Sequence, residues 1–306
     1  MTRPTESPRH RDAPLTRRAL LARLLAAGSA AAMAPATLRA MLRDGDHGID
    51  ETFDDGVASR AIGVQLYTVR TLMRADVEGT LAALAAIGYR EVEPFSWHER
   101  TPADWAAMLQ RHGLTAPSMH VPLPANDDEW RTTLAGARTI GARWVVIPWV
   151  PPAEHRTKAA WERLAERLNA LGRIAVADGV RVGYHNHDFE FAPVVEGVAG
   201  FDVLGASLDP ATCDLEVDLF WMVRGGRSPY TTIPRLRNVR LFHCKDIGPD
   251  PGYAMVDVGQ GTIDWKRIAA LAKRAGVRHL YVEHDAPSDP LASVRRSYGA
   301  LAAATR

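Results

Sequence analysis

From Ala61 onward the chain alternates between two kinds of hydrophobic pattern. Short apolar runs rich in β-branched and aromatic residues give way to longer stretches whose apolar positions recur at helical spacing. The short runs fall at 62–69, 91–95, 116–121, 144–150, 180–187, 214–220, 239–246 and 279–284, and each predicts a strand. The clearest helix lies at 157–178, where Trp161, Leu164, Ala165, Leu168, Leu171 and Ala175 form one stripe. A second spans 264–275, with Ile268, Leu271, Ala272 and Ala275 on one face and Gly276 as its stop. Between the fifth and sixth strands the pattern predicts a short, weak helix, and after the sixth a single turn.

Strands that alternate with helices run parallel, because each crossover helix returns the chain to the same end of the sheet. Eight such units within roughly 240 residues suit an α/β fold built as a single (β/α)8 TIM barrel better than an open doubly wound sheet. No G-x-G-x-x-G follows the first strand, which removes the main support for a dinucleotide-binding sheet. The barrel domain is placed at 61–306. Residues 37–60, with Gly45, Gly48, Gly56 and five Asp and little periodicity, read as a linker or lead-in.

The first 36 residues change the picture. Arg3, Arg9, Arg11, Arg17, Arg18 and Arg23 crowd a stretch whose only acids are Glu6 and Asp12, and Thr16-Arg17-Arg18 leads into an Ala/Leu run ending near Ala34-Pro35-Ala36. This resembles a twin-arginine signal peptide, so the mature protein is expected in the periplasm or secreted, with no stable membrane association after cleavage. Its removal leaves 31 basic and 34 acidic residues, a mildly acidic chain without a basic face for nucleic acid. Two cysteines, Cys213 and Cys244, indicate no disulfide framework but leave one bridge open.

In a barrel, chemistry gathers where strands end. Here the strand ends carry Glu93, His120, Trp149, the run Tyr184-His185-Asn186-His187-Asp188-Phe189-Glu190, then Glu216-Val217-Asp218, His243-Cys244-Lys245-Asp246 and Glu283-His284-Asp285. One histidine on a strand is usually a packed rim residue, and one Asp at a strand end usually caps the next helix. Those explanations cover one or two positions and fit poorly a series of His, Asp, His and Glu over four consecutive strands. Imidazole and carboxylate together suit Mn2+, Zn2+, Co2+ or Fe2+ rather than Ca2+. Lys245 is placed either to neutralise an enolate or to pair with Asp246. Gly259-Gln260-Gly261 reads as a phosphate cradle or a plain turn.

Several segments in order resemble the sugar phosphate isomerase/epimerase family, the xylose-isomerase-like barrels. They are Gly63-Val64-Gln65-Leu66-Tyr67, 184–191, 216–221, 243–246, 258–265 and Val282-Glu283-His284-Asp285. The resemblance implies one divalent metal, with Mn2+ favoured, held by His185, Asp218, His243 and Glu283. His185 departs from that family's usual Glu at its position, and His187 and Glu190 lie close enough to substitute. Trp221 stands where many members carry a second histidine.

The chemistry implied is isomerisation or epimerisation of a sugar, keto-sugar or polyol through an enediolate. The export segment and the lack of a P-loop or a Lys/Arg cluster in a βα loop point to an unphosphorylated substrate. Glu190 and His187 would move the proton with Lys245 beside them, while Glu93, His120, Trp149 and Trp221 contact substrate. The Tyr-His-x-His segment also resembles inosose dehydratases, so elimination from a keto-sugar is the runner-up. An apurinic-endonuclease branch of the same superfamily fits badly with a mildly acidic chain. A non-catalytic periplasmic sugar-binding protein is the alternative from another class, with Trp97, Trp149, Phe220 and Trp221 as stacking surfaces. Trp105, Trp130 and Trp161 sit at helical spacing and are expected in the core. The resemblance leaves homo-oligomerisation open.

Overall fold

A computed structural model describes residues 62–194 and 196–306. The proposed signal peptide 1–36 and the linker 37–60 lie outside the described residues. Eight parallel strands form one sheet: β1 Ile62–Gln65, β2 Glu91–Glu93, β3 Ser118–His120, β4 Trp144–Ile147, β5 Arg181–His185, β6 Cys213–Asp218, β7 Val239–Cys244 and β10 His279–Val282. Their order is β2-β1-β10-β7-β6-β5-β4-β3. Backbone bonds from Val92 N to Thr115 O (2.9 Å) and from His120 N to the Pro94 carbonyl (2.8 Å) draw the two edge strands together into a nearly closed barrel. The sequence-predicted TIM barrel is thus the observed fold, and the open sheet is not.

Helices return the chain between strands, and their ends are set by side chains the sequence supplies. Asp76, Asn126, Thr157, Asp264 and Asp289 each accept a bond from a backbone N–H in the first turn, and Thr101 and Asp104 form a reciprocal capping box. Gly141 and Gly276 close their helices in the left-handed conformation that a side chain resists. Trp105, Trp130 and Trp161 are fully buried in the apolar layer between strands and helices, as their spacing predicts.

Three details differ from the sequence pattern. Residues Leu66–Val69 leave the first strand as a 3-10 turn, because Gln65 caps Tyr67 N with its own side chain. The run at 214–220 divides into strand and helix: Asp218 caps Trp221 N and starts a helix at Leu219–Arg224, longer than the single turn expected. After β7 an antiparallel hairpin, β8 Asp246–Ile247 with β9 Met255–Val256, precedes the next helix. Cys213 and Cys244 are both buried free thiols.

Period-two alternation then decides what fills the barrel. The inward set reads Glu91 and Glu93, Ser118 and His120, Trp144 and Val146, Gly183 and His185, Asp214, Glu216 and Asp218, Leu241 and His243, and His279 and Tyr281. At the N-terminal end Trp144 Nε1 donates to Asp214 (2.8 Å), His279 pairs with Glu91 (2.8 Å) and Arg181 clamps Asp214, which plugs the barrel with satisfied polar groups. Trp144, Val146, Leu241 and Tyr281 form a small apolar layer above this plug. Gly63 makes room for the Tyr281 ring, which would lie 2.3 Å from any Cβ there. The functional residues occupy the layer above.

Candidate active site

Four strands deliver His185, Asp218, His243 and Glu283 to the C-terminal mouth with their ligand atoms within 4.8 Å of one another. A second set within the same limit is His120, His185, Glu216 and His243, so two histidines belong to both. All of these side chains are buried. The distances assign the ring nitrogens. His185 Nδ1 lies 3.0 Å from Glu216 Oε2, whereas its Nε2 turns toward Asp218 Oδ2 at 3.8 Å. His243 Nε2 is 2.7 Å from Glu93 Oε2, and its Nδ1 is 2.6 Å from Glu283 Oε2.

One nitrogen of each ring is therefore anchored from below by a carboxylate, and the other faces the outer carboxylates. Carboxylates commonly hold metal-binding histidines in this way, fixing which nitrogen offers its lone pair. Asp218 spends Oδ1 on the Trp221 N–H (2.9 Å) and leaves Oδ2 buried without a hydrogen bond, although the Lys245 ammonium is 3.1 Å away. A helix cap uses one oxygen, and the second, which faces the Lys245 ammonium, is the one positioned to coordinate a metal cation. Two nitrogens and two carboxylates at this spacing fit a divalent ion.

The electrostatics follow from burial and neighbours. Burial works against a charged His120, but Glu93 at 3.1 Å and Glu216 at 2.6 Å outweigh it and raise it to about 9. His243 is likewise raised well above the usual histidine value, its burial overcome by Glu216, Glu283 and Glu93. Burial, helped by His243, holds His185 well below the usual value. Burial and then Lys245 lower His187 to about 4, which keeps its imidazole neutral at pH 7. Burial lifts Asp218 to about 7 against the pull of Lys245. Lys245 pairs not with Asp246 but with Asp218, Glu283 (2.9 Å) and Asp285 (2.7 Å); these outweigh its burial and raise it.

Above the cluster opens a cavity of about 530 Å3 lined by His120, His185, His187, Lys245, Glu283 and Asp285 on its polar side, and by Tyr67, Phe95, Val121, Pro122, Pro148, Trp149 and Trp221 on its apolar side. Of the side chains expected at substrate, His120, Trp149 and Trp221 are on this wall. Glu93 is not: its carboxylate lies beneath, accepting from Ser118 Oγ and Gln65 Nε2 and touching His243. Glu190, expected to move a proton, is also off the wall. The 3-10 turn Phe189–Phe191 folds its carboxylate back to the Tyr184 hydroxyl (3.0 Å) and the His187 N–H (2.8 Å), and burial raises it to about 8. His187 faces the cavity instead, with Nδ1 buried and unpartnered.

Trp97 and Phe220, offered as stacking surfaces, pack elsewhere: Trp97 covers Gly136, and Phe220 is buried. The Gly259–Gly261 turn cradles no phosphate here, because the Gly259 and Gly261 N–H groups donate to Asp246 Oδ2 at 2.8 and 3.2 Å. Glu216, which touches three histidines, was not singled out from sequence. Its signal was the alternation Glu216-Val217-Asp218, which puts both acids on one face of β6.

Eight parallel strands with a polar cluster at their C-terminal ends beneath an open cavity define a TIM-barrel protein built like an enzyme. Over residues 81–304 the chain matches the xylose isomerase-like TIM barrel, and it belongs to that family. A sugar phosphate isomerase/epimerase from Parabacteroides distasonis shares the fold at a TM-score of 0.71 and 23% identity, over 82% of this chain and 97% of that one. The IOLI protein, solved with a zinc atom bound, aligns at 0.64 and 16% identity over 80% of this chain and 98% of its own. An inosose dehydratase from Lacticaseibacillus casei is 33% identical over 94 residues, and the match spans 30% of each chain. No helix among the described residues is long and apolar enough to cross a membrane.

Proposed function

We propose that the protein is a divalent-metal-dependent isomerase/epimerase that moves a proton beside the carbonyl of an unphosphorylated sugar or keto-sugar. The observation that carries this reading is the convergence of His185, Asp218, His243 and Glu283, with the anchored histidine nitrogens and an Asp218 Oδ2 that makes no hydrogen bond. A divalent ion held there supplies Lewis acidity, drawing electron density from a substrate carbonyl and acidifying the neighbouring C–H. Mn2+, Zn2+, Co2+ and Fe2+ all suit this donor set, and elemental analysis of the purified protein identifies the ion.

The chain's own residues do the rest. His187, neutral and facing the cavity, accepts the proton from carbon. Lys245, charged and buried, lies beside the negative charge that develops on oxygen. Glu190 acts through His187 by fixing its backbone N–H, and so positions the base. Isomerisation needs one base that carries the proton between neighbouring carbons, which His187 can serve. Epimerisation needs groups on opposite faces, a role that Glu190, turned away from the cavity, does not fill.

The same one-base arrangement favours a second reading, elimination of water or a glycosidic oxygen with Lys245 protonating the leaving group, and the partial likeness to inosose dehydratases points the same way. Proton NMR of products from a panel of keto-sugars separates the readings: an isomer with the mass of the substrate supports the first, and an unsaturated product supports the second. A sugar-binding protein without chemistry would give neither and would need no metal.

Sugar phosphates are not expected as substrates. Among the described residues Lys245 is the only Lys or Arg on the cavity wall, it already faces three carboxylates, and Glu283 and Asp285 line the same wall. Arg224 and Arg227 are held at the surface by Asp188 and Asp202. The twin-arginine-like segment, which would export the folded protein to the periplasm, supports the same preference, because sugar phosphates are kept in the cytoplasm. A phosphate ester favoured over its parent sugar by more than about tenfold in kcat/KM, roughly 1.4 kcal/mol, would contradict this.

A further inference from the structure

We infer that the cavity has a second, outer subsite for another ring, so that the substrate is a sugar carrying a glycosidically linked ring rather than a free monosaccharide. This rests on the proposed reading of the inner site as the place where a sugar reacts. The cavity divides by chemistry along its depth. Its inner wall is polar, formed by His120, His185, His187, Lys245, Glu283 and Asp285, whose hydrogen-bonding groups suit the hydroxyls of one sugar ring. Its mouth is apolar, formed by Tyr67, Phe95, Pro148 and Trp149.

The mouth is built rather than incidental. Four large apolar side chains are exposed among the described residues, and two of them, Trp149 at 51% and Tyr67 at 41%, stand at this opening. A single exposed apolar residue is ordinary, but two exposed aromatic rings lining one cavity opening form a patch of the kind that marks a ligand-binding groove. The Tyr67 ring is held in place, and the Trp149 backbone is restrained. Phe95 meets Tyr67 edge-on with centroids 5.3 Å apart, and the Arg70 guanidinium lies 4.2 Å from the Tyr67 centroid on one face. Trp149 sits in Pro148-Trp149-Val150-Pro151-Pro152, whose prolines restrict the backbone and whose Val150 is fully buried. Rigid aromatic surface loses little freedom on binding, which is how such residues serve as ligand anchors.

A monosaccharide bound on the polar inner wall leaves this surface wet. The occupant that covers it presents an apolar ring face and is joined to the reacting sugar: the C–H face of a second pyranose, or the π face of an aromatic aglycone. Both share one recognition chemistry, stacking on Trp149 with Tyr67 at the side.

The test measures dissociation constants by calorimetry on Mn2+-loaded protein, using methyl, phenyl and glucosyl β-glycosides of glucose, galactose and mannose. At least one phenyl or glucosyl glycoside is expected to bind about tenfold or more tighter than its methyl partner, and which arm wins identifies the outer ring. In Trp149→Ala, an exposed position whose folding is checked by circular dichroism, that ratio is expected to fall below about threefold, and Trp149→Phe should recover most of it. The inference is overturned if no two-ring ligand is preferred over its methyl partner, including the case in which none binds. It is also overturned if the ratio survives in both Trp149→Ala and Tyr67→Ala. Hydrogen exchange on keto-sugars reads the inner site separately. Exchange on monosaccharides with no two-ring preference in binding removes the outer subsite alone, whereas two-ring preference without exchange on any keto-sugar removes the proposed reaction alone.

Discussion

Replacing Lys245 by methionine should expose how the cluster balances its charge. The ammonium is almost wholly buried and lies 2.7–3.1 Å from Asp285, Glu283 and Asp218. Methionine keeps much of the volume and removes the only lysine or arginine charge that faces these acids among the described residues. Stripping one partner from a buried ion pair costs about 3–5 kcal/mol, because the remaining charge stays desolvated. For a domain of this size each kcal/mol moves Tm by roughly 2–4 °C, so metal-free Lys245→Met should melt about 6–20 °C below metal-free wild type. A divalent cation beside Asp218 and Glu283 would replace part of the missing charge. The deficit should therefore shrink by half or more in saturating Mn2+, and the variant should bind Mn2+ more tightly than wild type does. The assay is thermal melting by circular dichroism in EDTA and in Mn2+, paired with a metal-competition titration. A variant that melts within about 3 °C of wild type in EDTA, or whose deficit is unchanged by metal, would refute the reasoning.

Two further outcomes are expected. Asp218→Ala and Glu283→Ala should each stay folded and lose metal, and His185→Ala should weaken metal binding more than His187→Ala or Glu190→Ala does; full metal occupancy in the first two, measured by elemental analysis, would remove them from the ligand set. In the metal-free protein Tm should fall as pH rises from about 6.5 to 9. Glu190 is raised to about 8 and His120 to about 9, so the stability tied to their protons is lost as pH climbs through those values. His187 is lowered to about 4, so its contribution is present above the ordinary histidine value and is lost as pH falls toward 4. A metal-free melting profile flat from pH 5 to 9 would contradict these assignments.

What the sequence made legible, and what it hid, has a physical pattern. Period-two and helical repeats are local, so the eight strands and the long helices could be read directly, and strand ends pointed to His185, Asp218, His243 and Glu283. The pairing of Glu216 with three histidines depends on strands that meet only after the barrel closes. Its inward parity was visible, but its partners were not. Glu190 was misjudged because proximity in sequence says nothing about a 3-10 turn that folds its carboxylate behind His187. The β8–β9 hairpin consists of two-residue strands across a turn containing Pro251 and Gly252, too short for any periodic signal. Lys245 sits beside Asp246 in sequence, yet alternation sends them to opposite sides of the chain: the lysine meets the cavity carboxylates, and Asp246 gathers the Gly259 and Gly261 N–H groups and the Trp265 indole.

The most direct test of the central claim is deuterium incorporation from D2O into a keto-sugar at the carbon beside its carbonyl, followed by proton NMR with purified protein loaded with Mn2+. Exchange should stop when EDTA removes the metal, return when Mn2+ is restored, and slow by about a hundredfold or more in His187→Ala with metal still bound. Exchange that persists in EDTA, or that His187→Ala leaves untouched, would contradict the claim that these residues hold a metal and move a proton beside a sugar carbonyl.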